Sequence, residues 1–179
     1  MDPQQRLETY TAFADNTRKW VTVMDAKAAL LSALNGVLIG FLWAGVKLAD
    51  APFTPYARDL GVVASIAAFL ALLAALWSII PRERLSVLFG GTADWSAEYR
   101  PFSFYGFIAA RYKPADFAKL EADLGGLDEA ALAKEALEQH FTNSHVVLAK
   151  SVCVTRSGYL TLVAILFAGA ASILKVGGI

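Results

Sequence analysis

The longest uninterrupted pattern in the sequence runs from Asp128 to Leu174 and predicts one helix. Asp128 is suited to cap its N-terminus, and Gly125 and Gly126 end the segment before it. The first part of the helix is amphipathic, whereas the last part, from Tyr159 onward, carries no charge. At about 1.5 Å per residue the helix is roughly 70 Å long, beginning in water and ending in a membrane. Its apolar stripe consists of Ala133, Leu137, Phe141, Leu148 and Val152.

Uncharged apolar residues are concentrated in three blocks, at 28–46, 60–80 and 159–174. A helix needs about 20 apolar residues to cross the roughly 30 Å core of a bilayer, and the third block reaches this length with its flanks. The chain is 56% hydrophobic with a mean hydropathy of +0.48, so buried helices of a soluble protein are the weaker alternative. We predict an all-α membrane protein with three transmembrane helices and a small helical cytosolic region continuous with the first and third spans.

Lysines and arginines are distributed unevenly around these blocks. Thirteen of the sixteen lie in 1–27 and 81–156. Because such residues accumulate on the cytosolic side of a membrane, we place the N-terminus in the cytosol and the C-terminus outside. The predicted segments are a cytosolic amphipathic helix at 1–27, transmembrane helices at 28–46, 60–80 and 157–179, an outer loop at 47–59 and a cytosolic helical region at 81–156.

The N-terminal helix has an apolar stripe that ends in Lys27, and the amphipathic part of the long helix is its natural partner. A lysine in an apolar seam needs an anion, but Asp25 lies about 200° round the helix from Lys27 and is a poor partner. Gln139, Asn143 and Lys150 share one face of the long helix. If Lys27 and Lys150 lie at one level above the bilayer, two cations and two amides suit an anionic ligand. A solvated polar face that binds lipid phosphates is the alternative.

Aromatic residues and arginines alternate between Leu85 and Lys113, where Arg100, Phe104 and Tyr105 occur together. Aromatic rings stack on a base and arginines hold a phosphate, so this segment is a further candidate for ligand binding. A small cytosolic core packed against the helices is the alternative.

The first apolar block contains Asn35, Gly36 and Gly40. An asparagine at membrane depth is expected to form a hydrogen bond across a helix interface, and glycines four apart let helices approach closely. Packing within one subunit and association between subunits both remain open for this motif.

Motifs of enzyme chemistry are absent from the sequence, which has neither a GxxxxGK[ST] loop nor a GxSxG elbow. His140 and His145 are five residues apart and face different sides of a helix, so they do not form a metal pair. Cys153 is the one cysteine and is expected to be a small packing residue. Formal net charge is zero, which indicates no nucleic-acid partner. We therefore expect neither catalysis nor a metal nor another cofactor.

Three motifs and their order resemble the transmembrane effectors of Pycsar, a bacterial antiphage system. The first contains Asp25 and Lys27, the second Arg100, Phe104 and Tyr105, and the third Gln139, Asn143 and Lys150. The motifs read MDAKAALLSALNGVLIG, RPFSFYGFIA and EQHFTNSHVVLAK. Together with the three apolar blocks, the resemblance extends over nearly the whole chain.

The resemblance implies that a partner cyclase makes a cyclic pyrimidine nucleotide, cUMP or cCMP, on infection. The effector binds this ligand and impairs the bacterial inner membrane, so the infected cell stops before phage mature, as in abortive infection. The eight residues of the three motifs are then the expected ligand-binding residues. A small membrane scaffold or channel subunit, controlled by a protein partner and binding no nucleotide, is the alternative. In either case we expect contact with membrane lipid and a homo-oligomer, most simply with an even number of subunits.

Overall fold

The computed structural model describes residues 2–46, 55–80, 108 and 111–177. Within these ranges the chain forms four α-helices and no strand, which confirms the predicted all-α class. They are α1 (Pro3–Gly40), α2 (Pro55–Ile79), α3 (Phe117–Gly125) and α4 (Glu129–Gly177), and a π-helical turn, Phe41–Gly45, follows α1. Three of the helices, α1, α2 and α4, are long and apolar enough to cross a membrane, so the chain is a membrane protein.

Local sequence signals account for the start of α4. The backbone N–H of Ala131 donates to the Asp128 carboxylate at 2.7 Å, so Asp128 caps the helix as predicted. Glu129 follows in the first turn, where a negative charge is favourable next to the helix dipole.

The chain divides into two compact units. The first comprises Met1–Trp20 and Pro81–Val146, and the second comprises Val21–Ile80 and Val147–Ile179. Helices α1 and α4 each contribute residues to both units.

In the first unit α1 packs against α4, with Ala14, Thr17 and Ala133 buried. The amphipathic part of α4 is thus the partner of α1, but the contact uses only part of the expected stripe, since Ala133 is 3% exposed whereas Leu137 and Phe141 are 41% and 65% exposed. Polar side chains of α4 also contact α1 there, as described below.

Tyr112 is a buried residue of the first unit. Its hydroxyl donates to the Asp123 carboxylate of α3 at 2.6 Å. Burial raises the pKa of Tyr112, and the hydrogen bond to Asp123 raises it further.

Small residues form the buried faces of the helices in the second unit. They recur at alternating spacings of three and four, the pattern of left-handed helix packing. On α2 they are Ala57, Gly61, Ala64, Ala68, Ala71, Ala75 and Ser78, and on α4 they are Ser157, Thr161, Ala164, Ala168 and Ala171. Large apolar residues face outward instead, as Val37, Leu166 and Ile173 are 70%, 72% and 73% exposed. A water-soluble bundle would bury the large side chains, so this arrangement favours a lipid environment.

A chain of hydrogen bonds joins the three helices in the middle of the second unit. Asn35 Nδ2 donates to Thr161 Oγ1 at 2.8 Å, which confirms that Asn35 bonds across a helix interface. Thr161 donates to the Ser157 carbonyl, and the Ser157 hydroxyl donates to the Ala71 carbonyl of α2, both at 2.8 Å. Within the described residues, Asn35 Oδ1 is buried without a hydrogen-bond partner.

Gly36 and Gly40 lie on the exposed side of α1. A Cβ added at either position would meet nothing within 4 Å. Packing within the described part of the chain therefore does not require these glycines.

Candidate functional site

One polar cluster of the second unit, the Lys150 cluster, consists of Asp25, Ser78 and Lys150. The ammonium of Lys150 contacts the carboxylate of Asp25 and donates to the Ser78 carbonyl at 3.0 Å. The Lys150 side chain is only 16% exposed and that of Asp25 is 39% exposed. One lysine of α4 therefore bonds to both α1 and α2.

The helix end explains why Lys150 bonds to Ser78. Ser78 is in the last turn of α2, where carbonyl groups lack partners within the helix and the helix dipole favours a cation. The Lys150 ammonium donates a hydrogen bond to such a carbonyl, while the Asp25 carboxylate neutralises the charge of the ammonium. The hydroxyl of Ser78 is also buried and, among the residues that the structure describes, has no hydrogen-bond partner.

The pairing of Asp25 with Lys150 was not predicted from the sequence. Asp25 was expected to be a poor partner for Lys27, and in the structure its carboxylate contacts Lys150 while Lys27 is exposed. Asp25 lies three residues before buried Ala28 and therefore borders the buried stripe of α1. That spacing is the one signal in the sequence for its inward position.

A second polar cluster, the Arg18 network, lies in the first unit. The Arg18 guanidinium donates to the Gln139 side-chain oxygen and also to Asp15 Oδ1, the latter at 3.2 Å. Gln139 Nε2 in turn donates to Glu135 Oε1 at 3.2 Å. Arg18 is absent from the residues expected from the sequence, since no spacing within α1 distinguishes it from other exposed polar residues of the helix.

The Arg18 network lines a groove of about 330 Å³. Its apolar walls include Leu7 and Ala14 of α1, Leu124 of α3 and Leu132 of α4. Small-molecule sites in proteins are clefts of about 300–1,000 Å³ with mostly apolar walls and a few polar groups. The groove has that composition, with Arg18 and Gln139 as donors.

The two histidines have structural surroundings. His140 Nδ1 lies 3.0 Å from Thr17 Oγ1, and its ring centroid is 5.6 Å from that of Phe13. His145 meets Phe141 edge-on, with centroids 4.6 Å apart. In the described ranges, no group of three or more histidine, cysteine, aspartate or glutamate side chains is arranged to hold a metal ion.

The expected ligand-binding residues are distributed over both units. Gln139 and half-buried Asn143 belong to the first unit, whereas Asp25, Lys27 and Lys150 belong to the second. The other three expected residues, Arg100, Phe104 and Tyr105, lie outside the described residues.

Comparison with known proteins identifies the family. A family model described as the Pycsar effector protein domain, PycTM, matches residues 9–175 and confirms the resemblance drawn from the three motifs. That description names an effector and no enzymatic activity. No curated protein and no solved structure matches the chain. Since the family model extends over most of the 179 residues, the chain belongs to the Pycsar effector protein family.

Proposed function

We propose that this protein is an antiphage effector that binds a cyclic pyrimidine nucleotide, cUMP or cCMP, and then impairs the bacterial inner membrane, causing abortive infection. Family membership supports an effector role in antiviral defence and implies a partner cyclase that makes the nucleotide. The three membrane-spanning helices support the membrane as its target. The distribution of lysine and arginine supports an inner-membrane protein whose N-terminus is cytoplasmic.

The observation that carries this proposal is the extent of the family match. Residues 9–175 include the groove of the first unit apart from Leu7, and they include the membrane helices of the second unit almost completely. Both α1 and α4 run from residues of one unit into residues of the other without a break in the helix. Residues of the first unit that would hold a ligand are thus connected, through continuous helical backbone, to two of the membrane helices.

Ligand recognition is assigned to the Arg18 network and its groove. An arginine guanidinium suits the phosphodiester of a cyclic nucleotide because it offers paired N–H donors, and a glutamine amide suits the edge of a pyrimidine base. In the structure these donors are held by Asp15, Glu135 and each other, so binding requires exchange of those contacts. Further candidate contacts are Asp25, Lys27, Asn143, Lys150, Arg100, Phe104 and Tyr105. No other cofactor is expected.

Calorimetry on detergent-solubilised protein tests the binding step. We expect saturable binding of cUMP or cCMP and none of cAMP or cGMP. Because a hydrogen bond to a charged group contributes about 1.5–3 kcal/mol, Arg18→Gln should weaken binding by about tenfold or more, and Gln139→Leu should also weaken it. Lys134→Gln is the matched control on α4, since Lys134 is 72% exposed and its ammonium lies 3.9 Å from Glu138.

A cellular experiment tests the membrane step. Co-expression with the partner cyclase should dissipate the membrane potential, measured with a voltage-sensitive dye, whereas expression with a catalytically inactive cyclase should not. Absence of binding to all four nucleotides, together with a potential unaffected by the cyclase, would contradict the proposal. It would instead favour the membrane scaffold or channel subunit that binds no nucleotide.

A further inference from the structure

Hydrogen bonds between helices of the second unit occur at three levels along α4. Ser157 and Thr161 form the hydrogen bonds of the middle level. Lys175 forms the bond at one end, where it donates to the Val46 carbonyl. The Lys150 cluster supplies the other end. It differs from the middle level because it contains opposite charges.

At this end of the second unit, contact between the three helices depends on the Lys150 cluster. Lys150 is 16% exposed, and a cation so far removed from water requires a close anion and further hydrogen-bond partners. Both are supplied by other helices, the anion by α1 and the carbonyl by α2. The buried residues one turn away on these helices are Ala28 and Ala75, which add little apolar area.

We propose that the Lys150 cluster is a latch that holds the three membrane helices together at one end, and that its opening is the step by which the membrane is impaired. While Lys150 holds Asp25 and the Ser78 carbonyl, the helices remain closed. Loss of the ion pair leaves an uncompensated charge between helices, and the end opens so that water can reach it. The inference rests on the proposed function, since it assigns a structural step to membrane impairment.

Liposome leakage tests the latch without any nucleotide. Liposomes that contain wild-type protein should retain a trapped dye. Asp25→Asn and Lys150→Met should each raise the leakage rate by about tenfold or more, and a tenfold change corresponds to about 1.4 kcal/mol. Lys150→Arg keeps the positive charge and the hydrogen-bond donors, so liposomes with this variant should retain the dye. Lys134→Met, an exposed lysine of the same helix, is the matched control.

A distance measurement between α1 and α2 distinguishes opening of the latch from leakage that is caused by misfolding. Spin labels are placed at Ala26→Cys on α1 and Trp77→Cys on α2, both exposed, in a Cys153→Ser background. With helical content unchanged by circular dichroism, Lys150→Met should lengthen or broaden the distance distribution, and Lys150→Arg should not. An unchanged distribution in Lys150→Met would overturn the latch.

The two proposals fail in different ways. If wild-type liposomes leak on addition of cUMP or cCMP while both latch variants stay tight without nucleotide, the latch is refuted and the proposed function stands. If the latch variants leak but wild-type protein ignores both nucleotides, the latch stands and the proposed ligand is refuted.

Discussion

Substitutions on opposite faces of α4 test the packing of the membrane helices. Ala164 is fully buried and Leu166, two residues later, is 72% exposed. Ala164→Leu inserts three carbon atoms between closely packed helices, and overpacking of this kind destabilises proteins by about 1–3 kcal/mol. Leu166→Ala removes the same three carbons from a side chain that faces outward, where substitutions usually change stability by less than about 0.5 kcal/mol.

The expected order of stabilities is the reverse of that in a soluble core, where Leu→Ala costs about 2–5 kcal/mol. Unfolding of the two variants and the wild type in the same detergent, followed by circular dichroism against a denaturing detergent, measures the order. Leu30→Ala on α1 is a second control, because Leu30 is 69% exposed. A greater loss from Leu166→Ala than from Ala164→Leu would refute the assignment of the buried face.

Three further predictions follow from single sites. Asn35→Leu should change the unfolding free energy in the same detergent assay by less than about 1 kcal/mol. The variant loses the bond to Thr161, worth about 0.6 kcal/mol, but it also removes the buried Oδ1 that has no partner among the described residues. A loss above about 2 kcal/mol would contradict this. Gly36→Leu and Gly40→Leu should leave unfolding of the protomer unchanged, and lower self-association of these variants by analytical ultracentrifugation would assign the glycines to contacts between copies. The pKa of Tyr112 is raised in the folded protein, so the unfolded chain releases this proton first as the pH rises. The thermal midpoint should therefore fall as the pH rises above about 10, and it should fall less in Tyr112→Phe than in wild type. Equal slopes of the midpoint against pH in the two proteins would refute this.

Helix content and membrane segments could be predicted because they depend on local composition. Three uncharged blocks and one proline-free run were enough to predict α1, α2 and α4, and the Asp128 cap was evident from its position. The contact between α1 and α4 was predicted, and Ala133 of the predicted stripe is buried, but other members of the stripe are exposed. An apolar stripe suggested Leu137 and Phe141, whereas the contact uses His140 and Gln139, which bond to Thr17 and Arg18.

The polar contacts were harder to predict because they depend on register between helices. Spacing within one helix shows that Gln139 and Asn143 share a face, but it does not show which residue of α1 lies opposite. Asp25 and Lys150 are 125 positions apart in the chain, and only the packing of the helices brings them together. For the same reason Arg18 gave no signal, since its partner Gln139 is 121 positions away.

Two lysines of α4 fix the register of the membrane helices along their length. Lys150 bonds to a carbonyl in the last turn of α2, and Lys175 bonds to the Val46 carbonyl just after the π-helical turn that follows α1. The 25 positions between them correspond to about 37 Å of helix, slightly more than the roughly 30 Å hydrocarbon core of a bilayer. The separation thus suits two lysines at opposite polar boundaries of a bilayer, and each lysine covers a carbonyl at the C-terminal end of another helix. Small buried residues alone would permit α4 to slide against its neighbours by one turn, and the two capping bonds, together with the bonds of Ser157 and Thr161 near the middle, select one position.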